Sequence, residues 1–299
     1  MIEVAAGILT DERGRVLLMQ RLPGKHLAGL WEFPGGKVEH DETVAQALVR
    51  ELDEELGVAV LESAPLISIP WHYPEKSVRL HALKVTAWNG TPRAREGHPL
   101  RWVELREVDA AEMPAADAPI LTALRLPPHC VISETVQANH FRSGDVLWQL
   151  RMPKAARDEI RRVVLHALTI EPRLRGSLLV NQDIDLAREL GIGVHLKAAQ
   201  LGELRARPLP QTCWVGASCH DAEELGLAAK LGADFATLSP VCATASHPDA
   251  TPLGWECFAR LVADARLPVY ALGGVGPNDL ERARAAGAQG VAGIRAFRQ

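Results

Sequence analysis

Gly36-Lys-Val-Glu-His-Asp-Glu42, then seven residues, then Arg50-Glu51-Leu52-Asp53-Glu54-Glu55-Leu56-Gly57-Val58, is the stretch whose reading decides the fold of the first half of the chain. Val44, Leu48, Leu52 and Leu56 recur every four residues, with Asp41 a fitting N-cap and Gly57 a fitting stop. The spacing predicts an amphipathic helix from about Thr43 to Leu56 behind a Gly-rich loop. Glu51, Glu54 and Glu55 then crowd one side of its last turns. There the helix dipole disfavours each negative charge by roughly 0.3–1 kcal/mol. Like-charge neighbours at this spacing add about 0.2–0.5 kcal/mol per pair. A local cluster of broken rules marks a functional site, and a divalent cation is its simplest compensation. All-oxygen carboxylate ligands suit a hard ion, Mg²⁺ or Mn²⁺.

Composition sets outer limits. The chain has 299 residues, 47% hydrophobic and 23% charged, with net charge −4, values typical of a soluble globular protein with room for two domains. Slight acidity argues against a nucleic-acid polymer as partner, while leaving free nucleotides open. Five cysteines, an odd number with no CxxC spacing, read as reduced thiols of a cytoplasmic protein. No apolar run reaches the ~20 residues of a membrane span, and Met-Ile-Glu-Val lacks the basic start of a signal peptide.

Two patterns share the chain. Residues 1–126 read as strands Ile2–Leu9, Arg15–Gln20, Leu66–Pro70, Val78–Ala87 and Arg101–Glu104 around the acidic helix, with a closing helix Ala118–Arg125. Asp11–Gly14 reads as a hairpin turn, and residues 127–130, opening with Pro127-Pro128, as a linker. From 131 to 299 eight short apolar strands alternate with helices, which points to a parallel (β/α)8 barrel. The first crossover, Gln137–Asp145, is too short for a helix, which would trim the ring there. The fold expectation is therefore α+β followed by α/β.

The opening stretch fits the Nudix signature Gx5Ex7REUxEExGU, U being a bulky aliphatic residue, at every fixed position. With the Trp31-Glu-Phe-Pro-Gly-Gly-Lys-Val38 lead-in, the first domain resembles the MutT-type branch of the Nudix hydrolases, whose fold is an α/β/α sandwich. The resemblance implies Mg²⁺-dependent hydrolysis of a nucleoside triphosphate, 8-oxo-dGTP foremost. It also implies that Glu51, Glu54, Glu55 and the Gly36 carbonyl hold metal, that Arg50 orients Glu51, and that Glu42 supports the loop. Glu96 aligns with a further functional glutamate, as a metal ligand or as the base for the attacking water; a solvated loop carboxylate is the alternative. Arg21 and Phe33 align with positions lining the nucleotide pocket, and Tyr73 is either a pocket wall or a core residue. Asp117 stands where bacterial relatives read the purine edge with asparagine. It could donate when protonated, accept when ionised, or simply cap the closing helix.

The second domain resembles thiamin phosphate synthase and its TenI-like relatives through Gln149-Leu-Arg151, Val180-Asn181, Gly193-Val-His-Leu196, Gly216-Ala-Ser-Cys-His220, Ser239-Pro-Val-Cys-Ala-Thr244 and Ala271-Leu-Gly-Gly274. Departures stand at the catalytic positions: Gln182 and Gln200 where synthases carry acids, His247 where they carry lysine, and Pro240 where tautomerases carry histidine. Gly273, Gly274 and Gly293 imply a phosphate cradle for a phosphorylated small molecule, or only tight turns, and Lys197 adds a cation at the mouth. Besides 8-oxo-dGTP hydrolysis, two readings stay open: hydrolysis of thiamin-pyrophosphate-like compounds, and a barrel that only binds a ligand or partner.

Overall fold

The structure, a computed structural model, describes residues 1–136, 146–244 and 250–297. The chain divides into two compact units, Met1–Arg125 and Leu126–Gln299. Among the described residues no helix is long and apolar enough to cross a membrane.

In the first unit β1 (Ile2–Leu9), β2 (Arg15–Gln20), β3 (Trp31–Glu32) and β4 (Gly35–Lys37) precede α1 (Val44–Leu56). Then come β5 (Ala59–His72), β6 (Ser77–Asn89), β7 (Leu100–Glu104) and α2 (Ala118–Arg125). One sheet runs β4-β1-β6-β5 and a second β3-β2-β7. Strand alternation sorts β1 between two cores. Ala5 and Leu9 pack with Leu48, Leu52 and Leu56 of α1, while Ala6 and Ile8 pack with Ile120 and Leu121 of α2. A helix on each side gives the expected α/β/α sandwich. Gly7 makes the α1 face close-fitting: a Cβ there would lie 2.9 Å from Leu52 Cδ1.

Three details differ from expectation. The N-cap of α1 is Thr43, not Asp41; its hydroxyl accepts from Gln46 N while Gln46 answers the Thr43 N–H, a reciprocal capping box. β5 extends far beyond Leu66–Pro70 because its backbone pairs along β6 with register shifts, and as an edge strand it tolerates Pro65 and Pro70. The short β3 and β4 lie in a Gly/Pro-rich segment without strand periodicity and are held by pairing with β2 and β1.

The second unit is a closed ring of eight parallel strands: β8 (His129–Ser133), β9 (Val146–Leu150), β10 (Leu178–Asn181), β11 (Gly193–Leu196), β12 (Val215–Cys219), β13 (Phe235–Leu238), β14 (Val269–Leu272) and β15 (Gly290–Gly293). Outside stand α3 (Arg157–Ile170), α4 (Ile184–Leu190), α5 (Ala198–Glu203), α6 (Ala222–Leu231), α7 (Gly254–Ala263) and α8 (Leu280–Ala285). The short α4 and α5 escaped the sequence reading, and the Gln137–Asp145 crossover lies outside the described residues, though the ring of strands itself is complete.

The barrel interior is layered. Cys130, Leu147, Leu179, Phe235 and Tyr270 form an apolar layer closed by Leu126. Glycine makes room for these rings, since a Cβ on Gly216 would fall 2.5 Å from Phe235 Cζ. Two residues further along their strands, Gln149, Asn181, His195, Ser218 and Thr237 form a polar layer. Pro127 is buried, and its carbonyl accepts from the Tyr270 hydroxyl, so the chain entering the barrel is packed rather than a free tether.

Candidate functional site

The site is assembled where β4 slides beneath the acidic end of α1. Gly35 has φ 143°, and a Cβ there would come within 2.1 Å of the Ala5 carbonyl oxygen. On Gly36 a Cβ would collide with the Glu51 carboxyl carbon at 2.2 Å. Only glycines let the strand lie against β1 and the helix carboxylates together. That approach lets the Gly35 N–H donate to Glu55 at 2.9 Å.

Arg50 organises the remaining carboxylates. Its guanidinium contacts Glu42 (2.6 and 3.2 Å), Glu51 (2.9 Å), Glu54 (3.3 Å) and the Lys37 carbonyl (3.0 Å). A planar fork suits such multidentate holding. Glu42 also accepts the Glu39 N–H at 2.8 Å, tying the loop before α1 to the same hub. The hydrogen-bonded guanidinium holds Glu42 below the usual carboxylate range.

The Gly90–Pro99 loop closes the acidic end. Arg93 N and Arg95 N bond the Leu56 and Glu55 carbonyls at 2.9 Å, and the Arg95 guanidinium donates to the Asp53 carbonyl at 2.8 Å. A distant arginine thus supplies the positive charge that the last helical turn lacks. Docking in this register sets Glu96 and His98 beside Glu55, with ligand atoms of all three within 4.8 Å of one another. His98, unassigned from sequence, is buried; its Nδ1 is 3.0 Å from the Gln20 carbonyl and its Nε2 3.5 Å from Glu96. Its signal was its place two residues beyond Glu96, which gains meaning only once the loop is docked.

The sequence-assigned metal residues Gly36, Glu51, Glu54, Glu55 and Glu96 therefore gather at one end of α1. Burial and the charges of Glu51, Glu32 and Glu96 push the Glu55 carboxyl up to about 8. Buried like charges of this kind are what a divalent cation neutralises, so the donor set fits a hard metal ion.

A second cluster lies along the same strand–loop segment. Arg21 and Glu32 pair closely, and Arg21 Nε donates to the His26 carbonyl at 2.6 Å. Asp117 is buried and accepts the Phe33 N–H; burial and then the Glu32 charge hold its carboxyl well above the usual range. Phe33 itself belongs to the α2-side core, so it meets Asp117 through its backbone. Tyr73 accepts from Ala116 N at 3.4 Å and meets His26 edge-on at 5.3 Å.

The barrel glycines have steric explanations of their own. Gly273 (φ 94°) and Gly274 (φ 67°) face the loop after β13, where added Cβ atoms would lie 2.7 Å from Pro240 Cα and 2.5 Å from the Ala243 oxygen. On Gly293 a Cβ would press on the Phe297 ring at 3.0 Å. Gln200 is committed locally, accepting Lys197 N at 3.0 Å and donating to the Gln182 carbonyl at 3.1 Å, while Lys197 is exposed. His247 lies outside the described residues.

A family model described as a NUDIX domain matches residues 5–123, and one described as thiamine monophosphate synthase matches residues 132–297. The 8-oxo-dGTP diphosphatase of Haemophilus influenzae is 42% identical over 124 residues, 42% of this chain and 91% of the relative. The CTP pyrophosphohydrolase of Escherichia coli is 42% identical over 123 residues, covering 41% of this chain and 90% of the relative. An Aquifex aeolicus protein provisionally named thiamine-phosphate synthase 2 is 32% identical over 158 residues, 52% of this chain and 85% of that protein.

Glu55 makes stability depend on pH. With its folded-state value near 8, against 4.5 ordinarily, the native state retains a proton there that the unfolded chain has lost. The associated stability is complete below pH ~4.5 and is lost as pH rises through 8. In thermal melts of metal-free protein, the gain in Tm on adding Mg²⁺ should therefore grow from pH 6 to pH 9, and Glu55→Gln should flatten that growth. A Mg²⁺ increment independent of pH in the unmutated protein contradicts this account.

Proposed function

The chain belongs to the Nudix family through residues 5–123 and to the thiamine monophosphate synthase family through residues 132–297, and on that footing we propose that its first unit hydrolyses 8-oxo-dGTP to 8-oxo-dGMP and pyrophosphate. Mg²⁺ is the proposed cofactor, with Mn²⁺ as substitute. A divalent cation bound by these glutamates offsets polyphosphate charge and acidifies a water. In this reading Glu51, Glu54, Glu55 and Glu96 are the carboxylate ligands and the Gly36 carbonyl adds an oxygen. Arg50 holds Glu51 and Glu54 at fixed angles, and Glu96 also stands where a base for water is needed. Catalysis is then chiefly positioning and charge neutralisation.

Asp117 is the observation that carries the substrate class. Burial raises the proton affinity of this carboxyl, and in its protonated form a carboxyl both donates and accepts. The 8-oxo form of guanine presents a carbonyl at position 6 beside an N–H at position 7, a complementary pair. Guanine itself presents two acceptors there, one of which faces the acid's carbonyl. Arg21, Glu32 and Tyr73 would wall the base on the same side.

The barrel supports a second reading, of binding without synthase turnover. Gln149 Nε2 bonds Asn181 at 2.9 Å, and His195 Nε2 lies 3.1 Å from Ser218. Gln149 Oε1 and His195 Nδ1 are buried without a hydrogen-bond partner among the described residues. Unpaired polar atoms in a barrel interior favour a small polar occupant. Gln200, a neutral residue already bonded at both ends of its amide, does not supply charge for a metal–pyrophosphate.

Turnover of 8-oxo-dGTP, dGTP, dCTP, CTP and thiamin pyrophosphate measured side by side tests the assignment; a preference for any of the last three overturns it. Glu54→Gln should lower kcat by at least about 10³ with the fold intact, through loss of held charge. Near-native rates with Mg²⁺ present would remove Glu54 from the ligand set.

Asp117→Ala should shrink the 8-oxo-dGTP preference over dGTP by about 1–3 kcal/mol in kcat/KM, while Asp117→Asn, a neutral donor–acceptor of the same size, keeps it. Equal selectivity in all three proteins would reduce Asp117 to a structural residue. The full-length protein should form no thiamin phosphate from the pyrimidine pyrophosphate and thiazole phosphate; product above a no-enzyme control restores a catalytic barrel.

A further inference from the structure

We propose that His98 is a nitrogen ligand to the divalent ion of the first unit, completing a site with Glu55 and Glu96 that binds Mn²⁺ in preference to Mg²⁺. The inference rests on the reading of those two glutamates as metal ligands. Ligand atoms of the three residues lie within 4.8 Å of one another. A single ion with bonds of roughly 2.1 Å spans about 4 Å between opposite ligands, so a small inward movement brings all three into contact.

The environment of the imidazole is that of a metal ligand. Its Nδ1 faces the Gln20 carbonyl at 3.0 Å, and a carbonyl can only accept. Nδ1 therefore carries the hydrogen, and in the neutral ring the lone pair is left on Nε2. Nε2 lies 3.5 Å from a Glu96 oxygen. At that spacing the two groups attract when a proton sits on the ring, as an ion pair, or when a divalent cation lies between them. Ligating histidines characteristically give their other N–H to a carbonyl in this way, which fixes ring orientation.

Rigidity of the support matters equally. His98 is only 8% exposed, and Gln20 N in turn bonds the Pro99 carbonyl at 2.9 Å, so β2 clamps the loop on both sides of the ring. Glu55 is buried and fixed by Gly35 N at 2.9 Å. Glu96, by contrast, lies on the exposed part of the loop. Chemically, two carboxylates suit Mg²⁺ and Mn²⁺ alike, whereas imidazole favours the transition ion. The nitrogen is thus what separates this site from an all-oxygen one.

The test is electron spin-echo modulation of Mn²⁺ bound to the full chain, with no nucleotide and no turnover, alongside calorimetric Mn²⁺ and Mg²⁺ titrations. Bound Mn²⁺ should show histidine ¹⁴N modulation, converted to the ¹⁵N pattern when the chain carries ¹⁵N-histidine. His98→Asn keeps a donor for the Gln20 carbonyl but removes the distal nitrogen. It should abolish the modulation and weaken Mn²⁺ by about 10–100-fold, with Mg²⁺ changing less than about threefold. Wild-type Mn²⁺ binding that shows no histidine nitrogen, or modulation that survives in His98→Asn, overturns the proposal while leaving the glutamate site standing. Absence of any Mn²⁺ or Mg²⁺ binding that Glu55→Gln weakens would bring down both.

Discussion

A single close approach, the Gly35-Gly36 backbone against Glu55 and Glu51, is what the first unit is organised around. β4 must pair with β1 and pass under α1 at once; a Cβ would strike the Ala5 backbone at Gly35 and displace the Glu51 carboxylate at Gly36. In return the backbone offers an N–H to a buried carboxylate. The same seven-residue run from Trp31 to Lys37 carries Glu32 and Phe33, which meet Arg21 and Asp117. One segment therefore joins the charged cluster to the Arg21, Glu32 and Asp117 cluster beside it.

The acidic end of α1 is an electrostatic liability that the fold meets from outside the helix. No basic residue lies in its last turn. Arg50 supplies charge from one turn back and Arg95 from a distant loop, with the Arg95 guanidinium on the Asp53 carbonyl. Each arginine also positions something else. Arg50 links the helix to Glu42 and Lys37, and docking around Arg95 carries Glu96 and His98 to Glu55. Compensation of charge and assembly of the site are thus the same contacts. Glu55 is left without an opposing cation among the groups that perturb it, which is why its carboxyl resists ionisation.

The second unit uses glycine differently. In the barrel interior Gly216 yields its volume to Phe235, and at the mouth Gly273 and Gly274 let the loops after β13 and β14 touch. Packing thus accounts for glycines that by motif alone suggest phosphate binding. Above the apolar floor, the polar layer leaves Gln149 Oε1 and His195 Nδ1 buried without a hydrogen-bond partner among the described residues. Burial without a charged partner holds His195 neutral, its imidazole lowered to about 3. The interior is therefore polar but uncharged at that level.

Sequence by itself determined most of the elements and marked the carboxylates at the end of α1. Period-four apolar residues bounded by Gly57 gave α1; Ile2–Leu9 and Arg15–Gln20 were legible to the residue, and a closing helix near Ala118–Arg125 was legible as an element, because local patterning and core burial agree there. Glu51, Glu54 and Glu55 were legible because they violate helix electrostatics within five residues. Only the tertiary structure decided what depends on non-local approach. β3 and β4 have no periodicity and exist through their partners, and Thr43 displaced Asp41 as cap through the reciprocal bond with Gln46. The raised carboxyl of Asp117 follows from burial beside Glu32, and the place of His98 beside Glu55 from a loop docked on a helix end more than forty residues earlier. Short-range pattern is written in spacing; desolvation and convergence are properties of the packed chain alone.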